Sequence, residues 1–215
     1  MEEQFTRVEN DAVTSRGRRS LLKGAAWSVP AVAVAAAAPM AAASTTTPTC
    51  PTCIQPGVLG ATTAQAVVLG NRGALVLAGG LGLNASNCSL TLFQPAYTTL
   101  VTGATLTMSN GATYPATLGV VAGAGTFGQI AALPGALTFT NIPFPNGTYG
   151  AGFGQNQLRP TKVSVNLNVV FVGLPSLISI SCPVTLTWDL NLVATVSLVV
   201  GGAGTVNYTG TVSPA

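Results

Sequence analysis

Apolar and polar residues alternate along most of the chain after residue 58. Val163, Val165, Leu167, Val169 and Phe171 fall on one parity, with Ser164, Asn166 and Asn168 on the other. The same period of two runs through Val184, Leu186, Trp188, Leu190 and Leu192, separated by Thr185, Thr187, Asp189 and Asn191. It returns in Val206, Tyr208 and Val212 against Thr205, Asn207, Thr209 and Thr211. Shorter versions surround Leu106 and Met108, and Leu137 and Phe139. Successive side chains of a strand point to opposite faces, so this pattern predicts half-buried antiparallel strands, each with one apolar face.

Turn formers fall between these runs. Asn110-Gly111 and Asn146-Gly147 supply the positive φ angles of tight turns, and Asn71-Arg72-Gly73 and Gly201-Gly202-Ala203-Gly204 read similarly. Pro95, Pro115, Pro134, Pro160, Pro175 and Pro183 punctuate the rest and disfavour long helices. Many short strands with regular turn signals predict a two-sheet sandwich. Residues 137–149, Leu-Thr-Phe-Thr-Asn-Ile-Pro-Phe-Pro-Asn-Gly-Thr-Tyr, resemble the strand–turn–strand corner of immunoglobulin-like bacterial domains. The expected fold is therefore all-β, an antiparallel immunoglobulin-like sandwich over residues 58–215, with a closed β-barrel as the alternative.

The beginning of the chain follows other rules. Gly17-Arg18-Arg19-Ser20-Leu21-Leu22-Lys23 joins an arginine pair to two apolar residues and a lysine. An Ala/Val run from Ala25 to Ala38 follows, then Pro39 and the small residues Ala41, Ala42 and Ala43 before Ser44, an A-x-A cleavage context. A membrane anchor would need a longer and more hydrophobic core than this alanine-rich run, which Pro30 interrupts. The ordered set resembles a twin-arginine export signal. With Ala25-Ala26-Trp27-Ser28-Val29-Pro30 it is similar to leaders of secreted actinobacterial proteins. The resemblance implies a signal peptide over residues 1–43, a twin-arginine translocase and a signal peptidase as partners, and an exported mature chain. Residues 44–57 are expected to be a Pro/Thr-rich extended arm carrying Cys50 and Cys53.

Charge narrows the function. The chain holds 8 Lys and Arg, 5 Asp and Glu, and no His. After residue 24 only Arg72, Arg159, Lys162 and Asp189 remain. So few scattered cations cannot displace counterions along a phosphate backbone, which excludes nucleic acid as a partner. After residue 43 no uninterrupted apolar stretch is long enough for a spanning helix.

Four cysteines in an exported chain point to two disulfides. Cys88 shares parity with Leu90 and Leu92, and Cys182 with Val184, Leu186 and Trp188. Both are expected to face the core, which favours Cys88–Cys182 as an inter-sheet bridge and Cys50–Cys53 as a local pair. In the chain-entropy model the larger loop stabilises by about 4–5 kcal/mol. A Cys-x-x-Cys pair can serve redox or zinc chemistry. Redox use needs a helix N-terminus and structural zinc needs further ligands, and a Pro/Thr arm in a chain without histidine supplies neither.

Catalysis by acid–base chemistry needs positioned groups, and the mature chain has one carboxylate, Asp189, on an outward parity. A Ser–Lys dyad on Lys162 is formally available, but no serine stands in a nucleophile motif. The expectation is a non-catalytic module without a cofactor, acting in the cell envelope or outside the cell. Its partners would be itself, cell-wall polysaccharide or envelope lipid. A secreted carrier of a small ligand is the alternative, and an unusual hydrolase the third reading.

Overall fold

The computed structural model describes residues 49–88, 93–117, 121–150, 158–174 and 177–215. The expected export signal (Arg18, Arg19, Leu21, Leu22, Lys23) and cleavage context (Ala41, Ala43, Ser44) lie outside the described residues. In chain order the strands are β1 (Gln55–Val58), β2 (Thr62–Leu69), β3 (Arg72–Ala78), β4 (Leu81–Asn84), β5 (Phe93–Met108), β6 (Thr113–Thr117) and β7 (Val121–Thr126). There follow β8 (Ile130–Ala132), β9 (Leu137–Pro143), β10 (Gly147–Tyr149), β11 (Pro160–Gly173), β12 (Ser179–Ala194), β13 (Ser197–Val200) and β14 (Ala203–Pro214).

Eight strands close into an antiparallel barrel in the order β14-β12-β11-β5-β6-β9-β3-β2, and β2 returns to β14 from Gly204↔Val68 to Gly210↔Thr62. The alternation decides which way each strand faces. Val163, Val165, Leu167, Val169 and Phe171 are buried inside, as are Leu186, Trp188, Leu190 and Leu192. Asn166, Thr185, Asp189 and Asn191 are exposed. An eight-stranded barrel is just wide enough for its own side chains to fill. Hydrocarbon inside and amides and hydroxyls outside is the arrangement of a water-facing barrel, the reverse of the polar lumen of outer-membrane barrels.

The all-β antiparallel class holds, with the closed barrel expected as the alternative in place of the immunoglobulin-like sandwich. Both architectures demand the same local alternation. What distinguishes them is the pairing of β14 with β2, strands some 140 residues apart, and no local pattern signals that contact. Residues 137–149 form the strand–turn–strand β9–β10, in which Tyr149 donates its hydroxyl to the Pro145 carbonyl at 2.8 Å.

Three strands outrun the barrel. The first half of β5 leaves β6 and pairs with β7, from Ala96↔Thr126 to Val101↔Val121. β12 pairs with β14 only from Trp188 onward. Against this flared end packs a second, three-stranded sheet, β1-β4-β8. It contributes Leu81 and Leu83 to the core, with Ile54 just before it. The buried Trp188 indole donates to the Gly57 carbonyl at 2.8 Å and fixes β1 to the barrel wall. Gly57 pairs with Gly82, and the Ile130 side chain lies where a Cβ on either would project, so a larger residue at either position would have to displace Ile130.

Several turns are displaced from their expected places. The β2–β3 hairpin turns on Gly70 and Asn71, one residue earlier than expected, and β13–β14 turns on Gly201 and Gly202. All four have positive φ, the signature of two-residue hairpins whose twist matches the flanking strands. Gly123 and Gly125 lie inside β7. There Tyr97 covers Gly125, and Pro134 and Thr99 crowd Gly123. Gly150 closes the described part of its glycine-rich segment, since residues 151–157 lie outside it.

Pro95, Pro115 and Pro183 sit within strands. Ala215 N–H donates to the Thr187 carbonyl, so Thr187 faces away from β11. Alternation turns the Pro183 imide the same way, onto the stretch of β12 that has no second strand. A proline there blocks strand addition in a chain with almost no edge charges.

Candidate functional site

Each end of the barrel is closed by its own device. At the flared end the N-terminal segment is held by both disulfides. Cys50 is bonded to Cys182 on β12, and Cys53 to Cys88 after β4. This corrects the expected pairing of Cys88–Cys182 with Cys50–Cys53. Parity placed Cys182 correctly, and it is almost fully buried. However, parity names a face and not a partner. Cysteines three residues apart in extended chain stand about 10 Å apart, beyond the roughly 7 Å limit for bridging two Cα atoms. Each therefore reaches a different neighbour. From Cys50 onward the expected arm belongs to the folded unit, which begins at Thr47.

Beside the disulfides lies an aromatic cluster of Phe93, Tyr97, Phe127 and Phe171, with ring centroids 5.4–6.0 Å apart. Burial pushes the Tyr97 phenol pKa up. Its hydroxyl is buried and meets no hydrogen-bond partner among the described residues.

At the opposite end, where the β2–β3 and β13–β14 hairpins turn, Phe144, Tyr149 and Tyr208 fill the barrel and are fully buried. Phe144 and Tyr149 pack at 6.0 Å. The β9–β10 connection crosses this mouth on backbone bonds. Phe144 N–H donates to Asn71 O, Asn71 N–H to Gly202 O, and Gly202 N–H to the Asn146 side-chain oxygen. Tyr208 donates to Leu158 O at 2.7 Å. Burial pushes the Tyr149 pKa up to about 12. Tyr208 is pushed up further, by burial and by the neighbouring Tyr149 phenol. Both phenols act as neutral donors.

Of the charged residues after position 48, Arg72 stands at this turn end and Arg159 just outside β5, while the Lys162–Asp189 pair lies further along, Asp189 opposite Ser213 near the end of β14. Arg72 opens β3 opposite Pro143, and Lys162 stands beside Thr107 and opposite Asp189. The Arg159 carbonyl accepts from Ser109 N–H just outside β5. Lys162 and Asp189 form an exposed cross-strand ion pair at 3.4 Å. Such exposed pairs contribute about 0–1 kcal/mol. Asp189 thus faces outward as alternation predicts, and Lys162 meets a carboxylate there. Arg72 binds the Asn141 side-chain oxygen at 2.7 Å.

The described residues include two concavities. One is an apolar cleft of about 240 Å³ between the cap sheet and the barrel, lined by Leu59, Leu81, Val101, Leu133, Leu137 and Val165 among others. Its lining side chains are hydrocarbon, so it can take only a small apolar group. The other is a shallow groove of about 460 Å³ on the outer face of β3, β2 and β14, with Thr63, Gln65, Val76, Asn207 and Thr209 in its floor. Gln65 donates to Asn207 at 2.9 Å across it. Sequence reasoning did not find this groove, because each of its residues reads as an ordinary outward strand position.

Among the described residues no three His, Cys, Asp or Glu side chains gather as a metal site. No protein-family model, no curated protein and no solved structure matches the chain.

Proposed function

We propose that this is an exported, non-catalytic interaction module of the cell envelope or extracellular space, working through its outer surface. The observation that carries this reading is the division between inside and outside. The barrel is packed with hydrocarbon, while its outer face presents Thr, Asn and Gln together with exposed Val and Leu. Two disulfides fit an oxidising compartment outside the cytosol. In the carrier reading a ligand would occupy the apolar cleft, but at about 240 Å³ this is smaller than the roughly 300–1,000 Å³ of small-molecule sites.

The test is to purify residues 44–215 and measure their mass in solution and their retention on cell-wall polysaccharide and envelope lipid. Self-association or envelope binding is expected, and the part of it made by apolar contacts should survive high salt, because contacts made without charge are weakly screened. Turnover of an ester, peptide or glycoside that disappears in Lys162→Ala would overturn the proposal. Replacing Arg18 and Arg19 with Lys tests export separately: the precursor should stay inside the cell, and unchanged secretion would reject the twin-arginine route.

A further inference from the structure

The outer face is not uniform. Along β2 the outward residues run Thr63, Gln65, Val67 and Leu69, changing from polar to apolar towards the turn end. Register carries the change sideways. Leu69 faces Arg72 and Val67 faces Ala74 on β3, and Val67 faces Thr205 on β14. Beyond β14, Val200 faces Ala203. Val67, Leu69, Leu198 and Val200 are 51%, 73%, 58% and 63% exposed. With the small residues Ala203 and Thr205 between them, they form one apolar tip around the Asn71 and Gly202 turns.

Hydrophobic side chains this exposed, gathered on the tips of two hairpins, mark a contact surface. Charge says what kind. The net +2 of the mature chain arises from Arg72, Arg159 and Lys162 against Asp189. Lys162 and Asp189 neutralise each other away from the tip, where Asp189 stands opposite Ser213 near the end of β14. The unpaired positive charge is that of Arg72, which faces Leu69 in the tip, and of Arg159, just outside the turn-side end of β5. A second copy docking tip to tip would bring two positive ends together. A polysaccharide is bound through stacked aromatic rings, and the exposed large side chains here are aliphatic. An anionic lipid surface satisfies both features, because interfacial binding combines buried apolar area with attraction of basic residues to acidic headgroups.

We infer that the turn end of the barrel is a membrane-surface docking tip. Leu69, Val67, Leu198 and Val200 enter the headgroup boundary, and the cations Arg72 and Arg159 face acidic lipid. This rests on the envelope-module reading and names its partner.

The experiment uses residues 44–215, which contain the whole folded unit. Co-sedimentation is measured with vesicles of equal parts phosphatidylglycerol and phosphatidylcholine, and with phosphatidylcholine alone. The chain should partition onto the acidic vesicles. The double variant Leu69→Ser, Val200→Ser should lose about tenfold or more of that partitioning while keeping its melting temperature. Leu177→Ser, exposed at the opposite end, should bind like the parent. Absence of vesicle binding, or binding unchanged in the double variant, overturns the inference. A dimer in solution that the double variant abolishes assigns the tip to a second copy. That result overturns the lipid partner and leaves the module reading standing. Retention on polysaccharide that ignores the tip has the same two consequences. A chain that binds none of the three sinks both.

Discussion

The two ends of the barrel solve the same problem with different chemistry. Each must close a hydrocarbon interior against water. At the flared end, β5, β11 and β12 run past their neighbours, and a separate sheet of short strands covers the gap. That sheet contains four-residue strands and a glycine pair, and so has little side-chain area with which to hold itself in place. Two disulfides and the Trp188–Gly57 hydrogen bond fasten it. At the turn end the hairpins stay short, and three aromatic rings fill the mouth under a chain of backbone and side-chain hydrogen bonds. The contrast teaches that covalent fastening is used where the packing is thin. The end that holds itself by packing is free to expose Leu69 and Val200.

The sharpest way to break this contrast is at the flared end. Replacing Cys50 and Cys182 together with Ala removes a cross-link spanning 132 residues, which the chain-entropy model values at about 5 kcal/mol. Removing Cys53 and Cys88, separated by 35 residues, should cost less, about 4 kcal/mol by the same model. Denaturant unfolding of each pair variant measures both. The reverse order would mean that the two bridges do more than restrict the unfolded chain. Peptide mapping without reductant should recover Cys50 with Cys182.

Phe144→Ala comes next. It empties a fully buried ring position at the turn end, and large-to-small changes of this kind cost about 3–5 kcal/mol. A loss under about 1 kcal/mol would show that the ring does not close that mouth.

How much of this was legible in the sequence follows from the same contrast. Inward and outward parity on β11, β12 and β14 was readable, because one buried face imposes a period of two. The Phe144–Tyr149 corner also carried its own signature. The covalent end was not readable. Its strands β1, β4 and β8 are only three or four residues long, too short to show alternation, so Cys50 and Cys53 read as part of a Pro/Thr-rich extended arm. Barrel closure was legible only as the alternative to a sandwich, since the β2–β14 pairing that decides between them joins segments far apart in the chain. The exposed tip escaped notice because Val67, Val68 and Leu69 form an apolar run with no visible parity, and only the register shows which of them face outward.

Smaller effects sharpen the account of the turn end. The chain has no histidine, so imidazole contributes no change in stability between pH 5 and 8. Tyr149 and Tyr208 are both held protonated above their ordinary value of 10.0. The unfolded chain gives up these protons first. Their stabilising contribution is therefore complete below about pH 10 and is lost as pH rises through the folded-state values. The melting temperature should fall from about pH 10 upward, and Tyr149→Phe should make that fall shallower. A slope identical in the variant would remove Tyr149 from the explanation. At neutral pH the same substitution should cost only about 1 kcal/mol, for the hydrogen bond to Pro145.

Hydrogen exchange with and without reductant tests the division between the two ends most directly. With the disulfides intact, amides of β1, β4 and β8 and of the barrel strands should all be protected. After mild reduction the account predicts faster exchange confined to β1, β4, β8 and the first half of β12, while β2, β3, β14 and the Phe144–Tyr149 corner stay protected. Uniform loss of protection across the barrel would contradict it, since the turn end would then depend on the same covalent fastening.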